Sequence, residues 1–354
     1  MKPRKEKTVE TIVDDLRRQI VRGDYLCGEF LPPIRELAQA YGAANQTISA
    51  VLNTLVELGM ICRTGRGCQV VLDPNAPQHR PILVLYQRPQ QENYTQMEVL
   101  AAATARLAEL KLNYRIVDSR QHLPALQEIS ESFSGVLMAM ALVDAGPAFV
   151  EALDEALIPN VVANLESQWN VTATRVDRAE TTARAVRIML DMGHRDIALL
   201  IRDPGLYFYR QALDGYRRQL EIAGIPFREE LVLICPEYDL FSTYRTVCAA
   251  IRRGVKFTGM ITGRDSQAHA AVEAFREFDL EVGRDISIIG YDDLSWPRME
   301  RILTTFVEPC RQLGGRAVDL LYERVLTGWQ PPKQEMFDAE FLLRRTLAPC
   351  RIGS

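Results

Sequence analysis

No run of apolar residues in this 354-residue chain approaches the ~20 that a bilayer-spanning helix needs, so no membrane partner is expected. Histidine is scarce: four residues, at 79, 122, 194 and 269, are too dispersed to suggest a metal site. The seven cysteines, at 27, 62, 68, 235, 248, 310 and 350, contain no Cys-x-x-Cys pair. An odd, unpatterned set reads as reduced thiols, not as a disulfide or zinc framework. The opening residues MKPRKEKTVE are basic but carry no apolar core, so they are not a secretory leader, and a cytoplasmic location is expected. Catalytic signatures are missing as well. There is no GxGxxG after the first strand, no GxSxG and no Walker loop. Asp292 and Asp293 are paired carboxylates, but neighbours at a strand end point in different directions. No catalytic residue, metal or cofactor is therefore expected.

What is present suits a soluble protein with large cores. Apolar residues make up 47% and charged residues 25%, an ordinary globular composition, and the length allows two or three domains. The net charge of −4 argues against a nucleic-acid binder until its distribution is considered. Residues 1–72 hold ten Lys and Arg against eight Asp and Glu, whereas the remainder holds 32 against 38. A mildly basic module on an acidic body suits DNA contact through one end only.

Periodicity organises the first 72 residues. Val9, Ile12, Val13, Leu16 and Ile20 recur at helical spacing, and Gly23 is the expected stop. A second helix is expected from about Ile34 to Tyr41, broken by Gly42, and a third from about Gln46 to Leu58, closed by Gly59. Two short strands then flank a tip at Thr64-Gly65-Arg66-Gly67. Helix, helix, tight turn, helix and hairpin is the plan of a winged helix-turn-helix. Its third helix enters the major groove and its wing touches backbone or minor groove.

Residues 73–80, within the Pro-rich polar stretch DPNAPQHRP, read as a linker. From residue 81 short apolar runs alternate with helical stretches: PILVLY, YRIVDS, GVLMAM and NVVANL, then DIALLI, ELVLIC, GMIT and ISIIGYDD. In the second series the intervening helices are expected at 178–192, 210–223, 242–253 and 266–278. The alternation predicts an α/β fold with two parallel, doubly wound sheets, hence two lobes.

Specific residues then become familiar. Leu31-Pro32-Pro33-Ile34-Arg35-Glu36-Leu37-Ala38 and the wing Arg63-Thr64-Gly65-Arg66-Gly67 resemble the two motifs of the GntR-type DNA-binding domain. The resemblance implies that Arg35, the third-helix residues Asn45, Gln46, Thr47 and Ser49, and the wing residues Arg66 and Gly67 face DNA. This chain has Asn45 and Ser49 where that family often carries arginine. Asn and Gln favour adenine where Arg favours guanine, so an operator with less G·C at those positions is expected.

From about residue 81 to 347 the chain resembles the LacI/GalR-type sensor, which is similar to periplasmic sugar-binding proteins. The matching pieces are Leu190-Asp191-Met192-Gly193-His194-Arg195-Asp196-Ile197-Ala198, Asp265 with Ala268, the run Asp285 to Asp293, Leu303-Thr304-Thr305 and Arg345-Thr346. With the N-terminal head, the layout is similar to arabinose-repressor-type regulators. The resemblance implies a periplasmic-binding-protein-like domain over 81–354. Lobe 1 would take about 81–163 and 294–322, and lobe 2 about 165–291 and 325–347. A sugar or sugar derivative would lie between the lobes, where open α/β sheets bind ligands on general grounds too. Asp292 matches the ligand-contacting Asp, and Phe241 an aromatic position on the ligand face. Ala212 and Arg264 stand where the family usually has Arg and Asn. Arg210 lies two residues before Ala212, and with Arg264 it would suit an anionic ligand such as a uronate or sugar phosphate.

Plainer readings stand beside these. His194 reads as a helix-end hydrogen bonder, Asp265 as a helix cap and Phe241 as core. Tyr207, Phe208 and Tyr209 line the cleft or form a surface loop. Arg17 and Arg18 read as a solvated helix face. The function expected is a homodimeric transcription regulator, a repressor reading a palindromic operator under control of a small effector. The alternatives are a solute-binding protein and an enzyme on the same α/β scaffold.

Overall fold

The computed structural model describes residues 8–22, 24–71, 80–87, 94–139, 146–237, 239–293, 302–328 and 330–350. The expected helix stop at Gly23 and nearly all of the expected linker (73–79) lie outside the described residues. The chain divides into two compact units, one of residues 1–81 with 127–134 and one of residues 82–126 with 135–354.

The first unit begins with α1 (Val9–Arg22), α2 (Ile34–Tyr41) and α3 (Asn45–Glu57), followed by the antiparallel hairpin β1 (Ile61–Thr64) and β2 (Gly67–Val70). The periodic apolar residues form one core. Ile12, Leu16 and Ile20 of α1 meet Leu37 of α2, Ile48, Val51, Leu52 and Leu55 of α3, and Ile61 and Val70 of the hairpin. At helical spacing those side chains share one face, and burying that face stabilises helices of 8–14 residues that would be marginal alone.

The chain continues through β3 (Ile82–Tyr86), α4 (Tyr94–Glu109), β4 (Tyr114–Asp118), α5 (Leu126–Ser132), β5 (Gly135–Ala139), α6 (Gly146–Glu155), β6 (Asn160–Ala163), β7 (Ala173–Val176) and α7 (Arg178–Asp191). There follow β8 (Ile197–Ile201), α8 (Tyr207–Ile222), β9 (Val232–Ile234), α9 (Leu240–Arg252), β10 (Gly259–Thr262), α10 (Asp265–Glu277) and β11 (Ser287–Tyr291). The last elements are β12 (Thr304–Val307), α11 (Cys310–Thr327), β13 (Gln334–Phe337) and β14 (Glu340–Leu342).

Two six-stranded sheets result. The first lobe has the order β13-β7-β6-β5-β3-β4, parallel throughout. The second has the order β14-β12-β11-β10-β8-β9, parallel except for β14, which runs antiparallel to β12. Strands β5, β8, β10 and β11 are buried along their whole length, as expected for continuous apolar runs covered by helices on both faces. In the second lobe Met189 of α7 and Tyr216 and Leu220 of α8 fill one face, and Val247 of α9 and Ala271 and Phe275 of α10 the other.

The lobe boundaries differ from the sequence expectation. The chain crosses between sheets three times, from β7 to α7, from β12 to α11 and from β13 to β14. Strands β7 and β13, expected in the second lobe, pair with each other in the first, with Phe337 opposite Val176. Strand β12, expected in the first lobe, lies beside β11 in the second, with Tyr291 opposite Phe306. Backbone ladders decide sheet membership, and Ala-Thr-Arg-Val or Gln-Glu-Met-Phe carries no apolar run that would show it locally.

Candidate functional site

In the first unit the turn between α2 and α3 is made by Gly42. It sits at φ 64 and returns its N–H to the carbonyls of Ala38 and Gln39. The turn leaves Asn45 and Gln46 exposed at the start of α3, with Thr47 and Ser49 half-buried and Ile48 fully buried behind them. Ala44 precedes α3 without a side-chain cap, so the positive end of that helix meets solvent through its first amides. Arg35 is exposed in the first turn of α2. Arg66 is exposed at the wing tip, and Gly67 takes φ 139, which only glycine adopts readily. The Arg66 N–H donates to Thr64 Oγ1 at 3.2 Å, and that hydroxyl donates to the Gly67 carbonyl at 3.0 Å. Arg63 Nη2 donates to Asn53 Oδ1 of α3 at 2.6 Å, tying wing to helix, a link the sequence reading missed.

In the second unit a narrow cleft opens between the lobes, with about 360 Å³ of empty space when open solvent at its mouth is included. Its wall includes Asn164, Glu166, Arg175, Arg178, Tyr207, Phe208, Gln211, Tyr291 and Glu308. Tyr207 and Phe208 therefore line the cleft, and they do so from α8, which starts three residues earlier than the periodicity suggested. Most of the charged residues here went unrecognised in the sequence.

Arg178 is the first residue of α7, just after the β7 crossing, and it is 6% exposed. Its Nη2 donates to the Gly263 carbonyl at 2.7 Å. Its guanidinium lies over the rings of Tyr291, at 3.4 Å from the centroid, and Phe208, at 4.3 Å. The Tyr291 hydroxyl donates to Glu308 Oε1 at 2.7 Å, and Asn164 Nδ2 donates to Glu308 Oε2 at 2.6 Å. Glu308 stands between β12 and α11, so this network joins both lobes at a crossing.

The residues singled out from the sequence fare differently. Asp292, just after β11, has φ 111 and a buried side chain whose Oδ2 meets Arg264 Nη1 at 3.1 Å. Arg264 also stands 4.0 Å from Glu166 of the other lobe and 5.1 Å from the centroid of Phe208. Arg264 thus faces two carboxylates at the cleft. Asp265 begins α10 fully buried and accepts from Thr305 Oγ1 at 2.7 Å, which fastens α10 to β12. None of Arg210, Phe241, Arg264, Asp265 and Asp292 is among the cavity-lining residues; Arg210 lies over Tyr207 instead. Phe241 is 66% exposed and stacks on Tyr244, so it is not core. His194 bonds Thr258 Oγ1 and the Ala348 carbonyl, each at 3.0 Å, in the hydrogen-bonding role expected of it.

Burial shapes the electrostatics. Glu166 is pushed up to about 7 by burial in the cleft wall, against the pull of Arg264, although a quarter of its side chain still meets the cavity. Asp292 is raised to about 6, again by burial and again opposed by Arg264. Tyr291 is held well above its ordinary value by burial and by Glu308.

Two stretches of the chain match known families. Residues 8–71 match the family of bacterial regulatory proteins, gntR family, and residues 186–347 match the periplasmic binding protein-like domain. Two stretches of the chain are thus similar to a GntR-type DNA-binding domain and to a periplasmic-binding-protein-like domain. Among curated relatives, catabolite control protein A of Priestia megaterium is 28% identical over 177 residues, covering 49% of this chain and 52% of the relative. The HTH-type transcriptional repressor PurR of Yersinia pestis (strain Pestoides F) is 30% identical over 198 residues, covering 54% and 57%. The chain thus spans about half the length of the curated relatives it matches. The lac repressor dimer, solved with operator and the anti-inducer ONPF, shares the fold at TM-score 0.63 and 20% identity, over 76% of this chain and 94% of that one. Among the described residues no helix is long and apolar enough to cross a membrane.

Proposed function

From a GntR-type head at 8–71 and a periplasmic-binding-protein-like domain at 186–347, we propose that this protein is a transcription regulator, a repressor whose operator affinity is set by a small ligand between the lobes. In this reading the head is residues 1–72, the linker 73–80 and the sensor 81–354. The observation that carries it is the occurrence in one chain of an exposed, uncapped α3 start, an exposed glycine-flanked Arg66 and an interlobe cavity lined by charged side chains. The relatives' names, a control protein and a repressor, support it.

The roles follow from the geometry. Asn45 and Gln46 reach base edges, Thr47 and Ser49 support them, and the α3 amides hold phosphate. Arg35 and Arg66, with Gly67 allowing close approach, meet the backbone on either side. One such head reads only a short site, so the protein acts as a homodimer on a palindromic operator. A sugar or sugar derivative enters the cleft, in contact with residues of both lobes, and biases DNA affinity through its preference for one lobe arrangement. The protein works in the cytoplasm and catalyses no reaction.

The test is recovery of operators. Purified protein is incubated with fragmented genomic DNA of its source at ~150 mM salt, where nonspecific phosphate binding is weak, and the retained DNA is sequenced. A few palindromic sites are expected. Retention without sequence preference, both with and without a sugar panel, would sink the reading.

A further inference from the structure

Among the described residues lining the cavity, every buried side-chain nitrogen or oxygen without a hydrogen-bond partner belongs to an arginine: Nε and Nη1 of Arg178, and Nε of Arg175. Buried polar atoms are nearly always paired, and leaving a charged donor unpaired is costly. Guanidinium groups donate only, so these three atoms call for an acceptor from outside the chain. Both side chains are held in place without using them. Arg178 is fixed by the Gly263 carbonyl and by the Tyr291 and Phe208 rings. Arg175 is fixed by Gln334 Oε1 at 2.8 Å and lies over the Tyr207 ring at 5.0 Å.

Of the two carboxylates on the same wall, Glu308 accepts hydrogen bonds at both oxygens, and Glu166 stands 4.0 Å from Arg264. A neutral polyol brings a donor with every hydroxyl, for which Arg175 and Arg178 offer no acceptor. An anionic oxygen brings only acceptors and matches the donors present. Charge points the same way. Burial raises Glu166 to about 7, which weakens the negative charge that stands against the guanidinium groups of this wall.

We propose that the ligand of this cleft is an acid, carrying a carboxylate or phosphate group that Arg178 and Arg175 recognise. This rests on the regulator reading and narrows it from sugars in general to acidic derivatives. Arg264 and Arg210, the arginines the sequence suggested for such a ligand, are not among the lining residues: Arg264 pairs with Asp292 and Arg210 lies over Tyr207.

The test is calorimetry on the full-length protein in chloride buffer at pH 7. Inorganic phosphate, D-gluconate, D-galacturonate and D-glucose 6-phosphate are titrated beside neutral D-glucose and D-galactose. At least one acid is expected to bind about tenfold or more tightly than either neutral sugar. Gluconate or galacturonate would mark a carboxylate site, phosphate or glucose 6-phosphate a phosphate site. Arg178→Gln is expected to weaken that acid at least about tenfold, and Arg175→Gln to weaken it less. Should Arg178→Gln fold poorly by circular dichroism, Arg175→Gln decides. The proposal is overturned if neutral sugars bind as well as the acids, if no acid binds, or if the folded variants bind unchanged. Operator recovery does not depend on these titrations, so a protein that retains palindromic DNA but ignores acids removes this inference alone.

Discussion

The guanidinium of Arg178 lies 3.4 Å from the centroid of the Tyr291 ring, whose hydroxyl in turn donates to Glu308 at 2.7 Å. The pair links the first residue of α7, the end of β11 and the crossing between β12 and α11. A ligand that touches Arg178 therefore acts on the segment that joins the lobes.

Tyr291→Phe removes a donor from a carboxylate that is 6% exposed. The loss of a hydrogen bond to a buried charged group is expected to lower the sensor's stability by about 1–3 kcal/mol. Urea denaturation measures it. An unchanged midpoint would mean that Asn164 and solvent suffice for Glu308.

Glu166 and Asp292 predict a pH dependence. Their folded values, about 7 and about 6, lie above the ordinary 4.5 and 3.8, so the folded state binds the extra protons. Their contribution to stability is full below the ordinary values and is lost as pH rises through about 6 and 7. Glu166→Gln stays neutral throughout. Its melting temperature is expected to rise relative to the parent's between pH 5.5 and pH 8. A constant difference would show that Glu166 keeps an ordinary affinity for its proton.

Gly215 lies where α8 meets α7, and a Cβ there would stand 2.0 Å from the Ala179 carbonyl oxygen. Helix backbone cannot yield that distance cheaply. Gly215→Ala is expected to destabilise the second lobe by about 2 kcal/mol or more in chemical denaturation. A variant as stable as the parent would contradict the close α7–α8 approach.

Arg66→Ala is expected to weaken operator binding and to lower the steepness of its salt dependence by about one ion, as loss of a phosphate contact does. Asn45→Arg is expected to move base preference toward guanine at its position. Fluorescence anisotropy across a salt series checks the first, and site selection from random DNA the second. An unaltered salt slope would take Arg66 off the phosphates.

Much of this architecture was readable without coordinates. Ile82–Tyr86, Ile197–Ile201 and Ser287–Tyr291 are unbroken apolar runs that suit only strands covered on both faces. The head was readable too, because its apolar spacing and its glycines at 42, 59 and 67 each serve one local purpose. The crossings were not. Strand β13 takes its place from β7, about 160 residues earlier in the chain, and nothing local records that pairing. Asp292 could be placed at a strand end, but its partner Arg264 could not be told from a ligand-binding arginine, since only distance shows the pairing. Arg178 had a signal that went unused. An arginine opening the helix expected at 178 stands at a helix start, where open α/β folds bind ligands.

The most direct test is the affinity of the full-length protein for a recovered operator, measured by anisotropy with and without the acid that binds the cleft. A ligand that selects one lobe arrangement is expected to change operator affinity about 5- to 150-fold, and Arg178→Gln to abolish the change while leaving ligand-free DNA binding intact. Equal operator affinity with the cleft empty and saturated would contradict control of the head by the cleft.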